Sequence, residues 1–231
     1  MINSIAFIPD GNRRYAKVAN ISLAESYMIG TQKAWDVVNW LSKYPSISAA
    51  TFYTFSIKNF ERSKLELSIL MTIFEKQLDN ALESPLFDEN SISLKFIGRK
   101  EMFPQKLQGK MALVEEKTAK YKSKQINLAL GYDGQTEIVD AAQKFALDVQ
   151  LGKAKPEDLS TSNFGKYLYS DFLAPDLIVR TSSEKRLSGF LTYQSSYSEL
   201  AFLDKYWPEL TQTDVEKLID DFNLRDRRYG K

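Results

Sequence analysis

Asp10, Arg13 and Arg14 put one carboxylate and two guanidinium groups within five residues, separated by Gly11 and Asn12. Guanidinium groups and the free backbone N–H groups of a helix start both bind phosphate. A carboxylate beside them would repel a bare anion. It makes sense if a divalent cation such as Mg²⁺ bridges it to the phosphate. A polar turn opening a solvated basic helix accounts for the same residues, so the stretch needs partners elsewhere. One candidate is residues 180–190, RTSSEKRLSGF, where Arg180 and Arg186 bracket a Ser/Thr-rich turn and Ser188 follows. These three could converge on one diphosphate through charge-assisted bonds. Arg62 adds a cation to the early group, and Glu199 could supply a second oxygen ligand to a metal. Two arginine groups suit an enzyme that joins two diphosphates, neutralising both and helping one to leave.

What the chain lacks narrows the chemistry. It has neither histidine nor cysteine. That excludes Ser-His-Asp and Cys-His nucleophiles, disulfides and the usual His-ligated zinc or iron site. Any metal must sit on oxygen ligands, which favours Mg²⁺ over Zn²⁺. A net charge of +1 leaves no global basic field of the kind nucleic-acid proteins use. No apolar run is long enough to span a bilayer, and the N-terminus lacks a signal-peptide pattern. A cytoplasmic chain is expected.

The elements that must position these groups follow from periodicity. Residues 5–8 form an apolar strand stopped by Pro9. Residues 10–12 are turn residues, and a helix begins at Tyr15. Residues 23–44 read as a helix and 47–56 as a buried aromatic strand, with 57–62 as its loop. Ser63 to Glu66 is a capping-box pattern opening a helix that ends near Glu83. Residues 92–97, 126–130 and 177–179 read as strands. Residues 103–121 read as a helix on Leu107, Met111, Leu113 and Val114; residues 136–151 read as a helix with Ile138, Val139, Ala142 and Phe145 inward. Residues 163–169 suggest a short helix, 190–193 and 199–202 short β pieces, and Thr213 caps a last helix. Alternating strands and helices predict one α/β domain with a mostly parallel central sheet flanked by helices. In such sheets ligands sit beyond the carboxyl ends of the strands, where the polar clusters fall.

Taken together, DGNRRYA (10–16), FS-x-x-NFER (55–62), RTSSEKRLSGF (180–190), YSEL (197–200), YWPEL (206–210) and RDRRYG (225–230) resemble the cis-prenyltransferases, the undecaprenyl and dehydrodolichyl diphosphate synthase family. The resemblance runs in order along nearly the whole chain. It implies one cis-prenyltransferase domain over residues 1–231 with a hydrophobic tunnel, usually as a homodimer, with heteromers also known. It implies Mg²⁺-dependent condensation of isopentenyl diphosphate with an allylic prenyl diphosphate, forming a cis double bond. Carried over, Asp10 is the essential acid that binds Mg²⁺, and Glu199 joins the ion. Gly11, Asn12, Arg13 and Arg14, with Tyr15 and Tyr27, hold the allylic diphosphate. Asn59 matches a residue associated with proton removal, although an amide is a poor base. Ser56, Phe60 and Arg62 line the substrate site, while Arg180, Arg186 and Ser188 hold isopentenyl diphosphate. Arg228 and Gly230 match a terminal motif that completes a site across a dimer interface. A lipid product is compatible with peripheral membrane contact, and no nucleic acid is expected as a partner.

The chain departs from the family mainly on the donor side. Leu23 stands where an arginine is usual and Tyr27 where a histidine is usual; a histidine is common at Ser4, an acid at Lys58 and a proline at Ser63. Donor choice or donor affinity is therefore expected to differ. An irregular, non-head-to-tail coupling enzyme or one using another acceptor is the alternative, and a subunit of a heteromeric enzyme is a second one.

Overall fold

The computed structural model describes residues 1–170 and 173–225. Strand β1 (Ser4–Ile8) is buried along its whole length and lies inside the sheet. Its residues split between two cores by the period of a strand: Ile5 and Phe7 face one, Ala6 and Ile8 the other. Pro9 has no N–H to extend the ladder, and Gly11 turns the chain with φ +105°. A side chain at Gly11 would also strike the ring of Tyr206, with its Cβ only 2.7 Å away. Helix α1 then runs over Asn12–Val18, three residues earlier than periodicity predicts. Arg13 and Arg14 therefore sit in its first turn.

Five further strands complete the sheet: β2 (Ala49–Ser56), β3 (Ile92–Ile97), β4 (Lys124–Tyr132), β5 (Leu177–Arg180) and β6 (Glu199–Phe202). The order is β3-β4-β2-β1-β5-β6, with every pairing parallel. Helices α2 (Leu23–Ser42), α3 (Lys64–Glu83) and α5 (Gln105–Thr118) contribute to the larger core. A four-residue turn of helix, α4 (Leu86–Glu89), adds the buried Phe87. The last helix, α7 (Gln212–Leu224), packs Val215, Ile219 and Phe222 into the same core. The chain crosses to the other side of β1 when it enters β5. The carboxyl ends of β1 and β5 thus flank the switch point where such sheets bind ligands. No helix among the described residues is long and apolar enough to cross a membrane.

Several expected details change. Residues Ile57–Glu61 form a 3₁₀ turn rather than an open loop. Residues 190–193 are turns, because Gly189 and Leu191 take positive φ values that bend the chain out of a strand. The cap of α7 is Thr211, whose hydroxyl accepts from Asp214 N while the Asp214 carboxylate returns to the Thr211 backbone. Leu113 is exposed on α5. Helix α6 (Gly134–Gln150) turns Glu137 and Ala141 inward, leaving Val139 and Ala142 exposed and Phe145 half-buried against Tyr167. A buried acid explains that reversal. Glu137 is fully buried and accepts from Tyr132 Oη at 2.5 Å, Gln194 Nε2 at 3.0 Å and the Tyr169 backbone at 3.1 Å.

This network sets an alkaline limit to stability. Burial first, and the neighbouring Glu137 second, push the Tyr132 phenol well above the usual tyrosine range. A group raised in the folded state stabilises it below the unfolded value, about 10 for tyrosine, and loses that contribution as pH rises further. Tm should therefore be flat between neutrality and about pH 10 in this respect and fall above it. Tyr132→Phe should make the fall shallower. Equal slopes for the two proteins in melts between about pH 9 and 11 would refute the assignment.

Candidate active site

The Asp10 carboxylate lies between two guanidinium groups. Arg180, on the last residue of β5, donates from Nη2 to Oδ2 at 2.8 Å, and Arg14 Nη2 is 3.2 Å from Oδ1. Register explains the first pair, because Ile8 is opposite Arg180 in the β1–β5 ladder. Thr181 fixes the backbone next to it: its Oγ1 accepts from Asp10 N at 3.0 Å and donates to Asp10 O at 2.7 Å. Trp207 does the same from another side, with its backbone N–H on Asp10 O at 3.0 Å and its indole N–H on Gly30 O at 2.7 Å.

Arg180 is almost completely buried, which places a cation where one is costly unless well paired. Its Nη1 donates to Ser188 Oγ at 2.8 Å and to the Arg186 carbonyl. Its Nε has no partner among the described residues. Arg14 continues the series, with Nη1 on Glu184 Oε1 at 3.1 Å, and Glu184 also binds Arg186. Guanidinium and carboxylate groups therefore alternate: Arg180, Asp10, Arg14, Glu184, Arg186. Three cations to two anions leave a local excess of one positive charge.

A second group gathers around Glu66, beside Arg13 of α1. The Tyr27 hydroxyl donates to Glu66 Oε1 at 2.6 Å, and Arg62 Nη1 reaches both Tyr27 Oη at 2.9 Å and Glu66 Oε1 at 3.1 Å. Arg13, largely exposed, is 3.9 Å from the same carboxylate. Burial, then the bond to Glu66, pushes the Tyr27 phenol up, so it stays neutral at any working pH. Ser63 caps α3 through its hydroxyl, as the sequence predicts. The Glu66 carboxylate, however, serves the arginines instead of closing a capping box.

Three recesses open around these groups. Asp10, Asn12, Tyr27, Arg62, Arg180 and Ser188 line one of about 250 Å³, together with Ser56 and Asn59. Gly11, Arg13, Arg14 and Lys17 join Asp10, Asn12, Tyr27 and Arg62 around the next. Arg186, Ser188, Ser56 and Lys58 line the third. The first recess shares Thr31, Ala34, Phe52, Thr54 and Phe74 with a deeper cavity of about 120 Å³ whose walls are nearly all apolar. Asn12 sits in a tight place: a Cβ on Gly30 would be 2.2 Å from its Oδ1, an atom that is buried and unpartnered among the described residues.

Not every predicted residue gathers here. Tyr15 is half-buried on α1 and lines none of the three recesses. Phe60, expected to touch substrate, packs into an aromatic cluster with Phe55 and Phe103 at 4.8 and 5.2 Å. Asn59 Oδ1 accepts from Ser56 N at 3.0 Å, tying down the 3₁₀ turn. Glu199 is the clearest correction. It pairs in register with Leu177 at the opposite end of β5 from Arg180, and its carboxylate binds Arg225 at 2.8 Å. Four residues of strand separate it from the Asp10 end of the sheet, about 10 Å along β5 alone. It cannot share an ion with Asp10 inside one chain. Arg228 and Gly230 lie outside the described residues.

Sequence reasoning missed Glu66, Glu184, Thr181 and Trp207 as site-building residues. The i, i+4 spacing of Arg62 and Glu66 was the one signal available for the first. The donor set also bears on the metal. No group of three acidic side chains is found among the described residues. One accessible carboxylate beside several arginines suits Mg²⁺ that arrives on a phosphate, since Mg²⁺ commonly takes one or two carboxylates plus substrate oxygens. Arg180 Nε and Asn12 Oδ1, both unsatisfied, leave a donor and an acceptor for such a ligand.

Residues 8–230 match a family model described as "Putative undecaprenyl diphosphate synthase". The chain is 39% identical over 230 residues to a tritrans,polycis-undecaprenyl-diphosphate synthase (geranylgeranyl-diphosphate specific) of Pyrobaculum aerophilum, covering 98% of this chain and 95% of the relative. It is 41% identical over 232 residues to the protein of the same description in Thermoplasma acidophilum, covering 98% and 88%. Among solved structures it resembles lavandulyl diphosphate synthase from Lavandula x intermedia in complex with dimethylallyl diphosphate. That match has a TM-score of 0.94 at 30% identity and covers 100% of this chain and 98% of that one. A probable undecaprenyl diphosphate synthase from Campylobacter jejuni superposes with TM-score 0.81 at 29% identity, covering 100% and 99%.

Proposed function

The chain belongs to the undecaprenyl diphosphate synthase family of cis-prenyltransferases, and from that premise we propose that it elongates an allylic prenyl diphosphate with isopentenyl diphosphate to a cis-polyprenyl diphosphate. The observation that carries the reading is the pairing of Asp10 with Arg180 and Arg14 at the mouth of a recess that meets an apolar cavity. Geranylgeranyl diphosphate is the proposed starter, since the archaeal relatives are described as specific for it. In the reaction the allylic carbon–oxygen bond breaks, the freed carbon bonds to the terminal alkene carbon of isopentenyl diphosphate, and a proton leaves the adduct.

The residues divide by side. Gly11 to Arg14, with Arg62, receive the donor diphosphate, and Arg180, Arg186 and Ser188 receive that of the acceptor. Arg14 and Arg180 face the same carboxylate from the two sides, so charge developing on the leaving group meets donors already held in place. Asp10 is the residue to hold Mg²⁺, which when bound supplies further neutralisation of the departing diphosphate. Chelating the divalent ion should abolish turnover, and added Mg²⁺ should restore it. Asn59 is proposed to shape the turn rather than to take the proton, because its Oδ1 is already engaged. The apolar cavity, walled by Phe52, Phe74 and Leu78, is the proposed channel for the hydrocarbon. A homodimer is proposed as the assembly; exposed Val139 and Leu147 on α6, with exposed Leu151 at its C-cap, support an apolar contact there.

Incubation of the purified chain with isopentenyl diphosphate and dimethylallyl, geranyl, farnesyl or geranylgeranyl diphosphate, followed by mass spectrometry, tests this. Polyprenyl product built on geranylgeranyl diphosphate is expected. A second reading, irregular coupling, is favoured by the 0.94 TM-score with lavandulyl diphosphate synthase. Product from dimethylallyl diphosphate alone would establish it. Turnover only after a second protein is added would instead identify a subunit of a heteromer.

Leu23 lies one helical turn before Tyr27 on α2, half-buried against the core. Leu23→Arg adds a guanidinium on the donor side, and one charge-assisted bond is worth about 1.5–3 kcal/mol. The donor KM should fall by roughly tenfold with the acceptor KM unchanged. An unaltered donor KM for all four starters would refute the placement.

A further inference from the structure

The apolar cavity contains an unexpected polar strap. The Trp35 indole N–H, from α2, donates to Gln77 Oε1 of α3 at 2.7 Å. Gln77 Nε2 in turn reaches Thr31 Oγ1 at 3.4 Å. Both side chains line the apolar cavity; neither lines the catalytic recess, whereas Thr31 lines both. On its other side the Trp35 ring packs against Phe87 of α4, with centroids 5.6 Å apart.

We propose that the Trp35–Gln77 pair is the stop that limits how long a hydrocarbon chain this protein makes. The proposal rests on the reading of the cavity as the hydrocarbon channel. A polyprenyl chain has no group that can replace either partner. To pass between α2 and α3 it must part the indole from the carboxamide and leave the indole N–H facing hydrocarbon, which is costly, while Gln77 Oε1 keeps only the longer bond from Asn80 Nδ2 at 3.4 Å. An apolar pair at the same place would move aside without that cost. Growth is therefore favourable while the chain fills space beside Phe52 and Phe74, and becomes unfavourable when it meets the strap.

Three variants separate bond from bulk. Gln77→Leu keeps the size and removes the acceptor, Trp35→Phe keeps an aromatic ring and removes the donor, and Trp35→Ala removes both. With isopentenyl diphosphate and geranylgeranyl diphosphate, the main product of Gln77→Leu and of Trp35→Phe should lengthen by at least one isoprene unit, and that of Trp35→Ala by more. The donor KM should stay within about twofold, because the strap lies away from both diphosphate sites. Unchanged product length in folded, active Gln77→Leu and Trp35→Phe would overturn the proposal, even if Trp35→Ala lengthens it through bulk alone.

Binding supplies a readout that needs no turnover. In wild-type protein without acceptor, affinity for prenyl diphosphates should rise with chain length and then level off, and Gln77→Leu should move the plateau to a longer chain. The same plateau in both proteins would overturn the stop while leaving the proposed reaction intact. Failure of the wild type to bind any prenyl diphosphate would instead bring down the reaction and the stop together.

Discussion

Asp10→Asn is expected to lower kcat by about a thousandfold while the protein still folds. The substitution keeps the shape of the side chain and an oxygen that can accept from Arg180 Nη2, now 2.8 Å from Oδ2. It removes the negative charge proposed to draw a divalent ion into a site otherwise crowded with guanidinium groups. Removing a single preorganised electrostatic contact at a developing charge typically costs a hundred- to a thousandfold in rate. The upper end is expected here because the carboxylate also orders the two arginines on either side. The KM values should move far less than kcat, since Arg13, Arg62 and Arg186, the proposed ligands of the two diphosphates, are unchanged. Steady-state rates with geranylgeranyl diphosphate, beside thermal melts of both proteins, are the measurement. A variant within tenfold of wild-type kcat would remove Asp10 from the chemistry.

The strands at residues 5–8 and 126–130 are legible because turn residues close each of them, at Pro9 and at Asp133, and residues 92–97 are legible because they alternate. The parallel sheet followed from their alternation with helices. What the sequence carried poorly was the choice of partner. Glu66 reads as a cap because it stands three residues after Ser63, yet its carboxylate finds Tyr27, 39 residues earlier, and Arg62. Periodicity turns Ile138, Val139, Ala142 and Phe145 of α6 inward; a phenol, an amide and a backbone N–H instead make burial of Glu137 acceptable and rotate the helix. Glu199 belongs to a motif that resembles the family closely, but only the β5–β6 register reveals that it stands at the wrong end of the sheet to meet Asp10. The Asp10–Arg180 pair spans 170 residues of sequence. Its members could be named in advance, because arginines and one acid at strand ends suggest a shared anion. Its geometry depended on Ile8 and Arg180 being neighbours across two parallel strands.

That ladder makes Arg180 the second position where a large effect is expected. Its guanidinium holds Asp10, Ser188 and the Arg186 carbonyl at once, so it fixes the 181–189 segment as well as the charge. Arg180→Met should fold but lose about 2 kcal/mol, because two acceptors and one carboxylate lose a buried donor. The loss stays moderate since Asp10 keeps Arg14 and some solvent access. For a chain of this size it corresponds to roughly 4–8 °C in Tm. Arg180→Lys should recover part of that stability, because an ammonium can still reach one of the three groups. It should not recover catalysis, because a point charge lacks the planar fork that holds an acid and a hydroxyl together. Both variants should raise the KM for isopentenyl diphosphate by about ten- to a hundredfold and leave the donor KM near wild type. The split between the two KM values separates a lost acceptor site from a damaged fold, which would raise both. Should Arg180→Lys match wild type in acceptor KM and kcat, Arg180 is not a ligand of the acceptor diphosphate, and the third recess, where Lys58 stands near Arg186 and Ser188, holds that group without it.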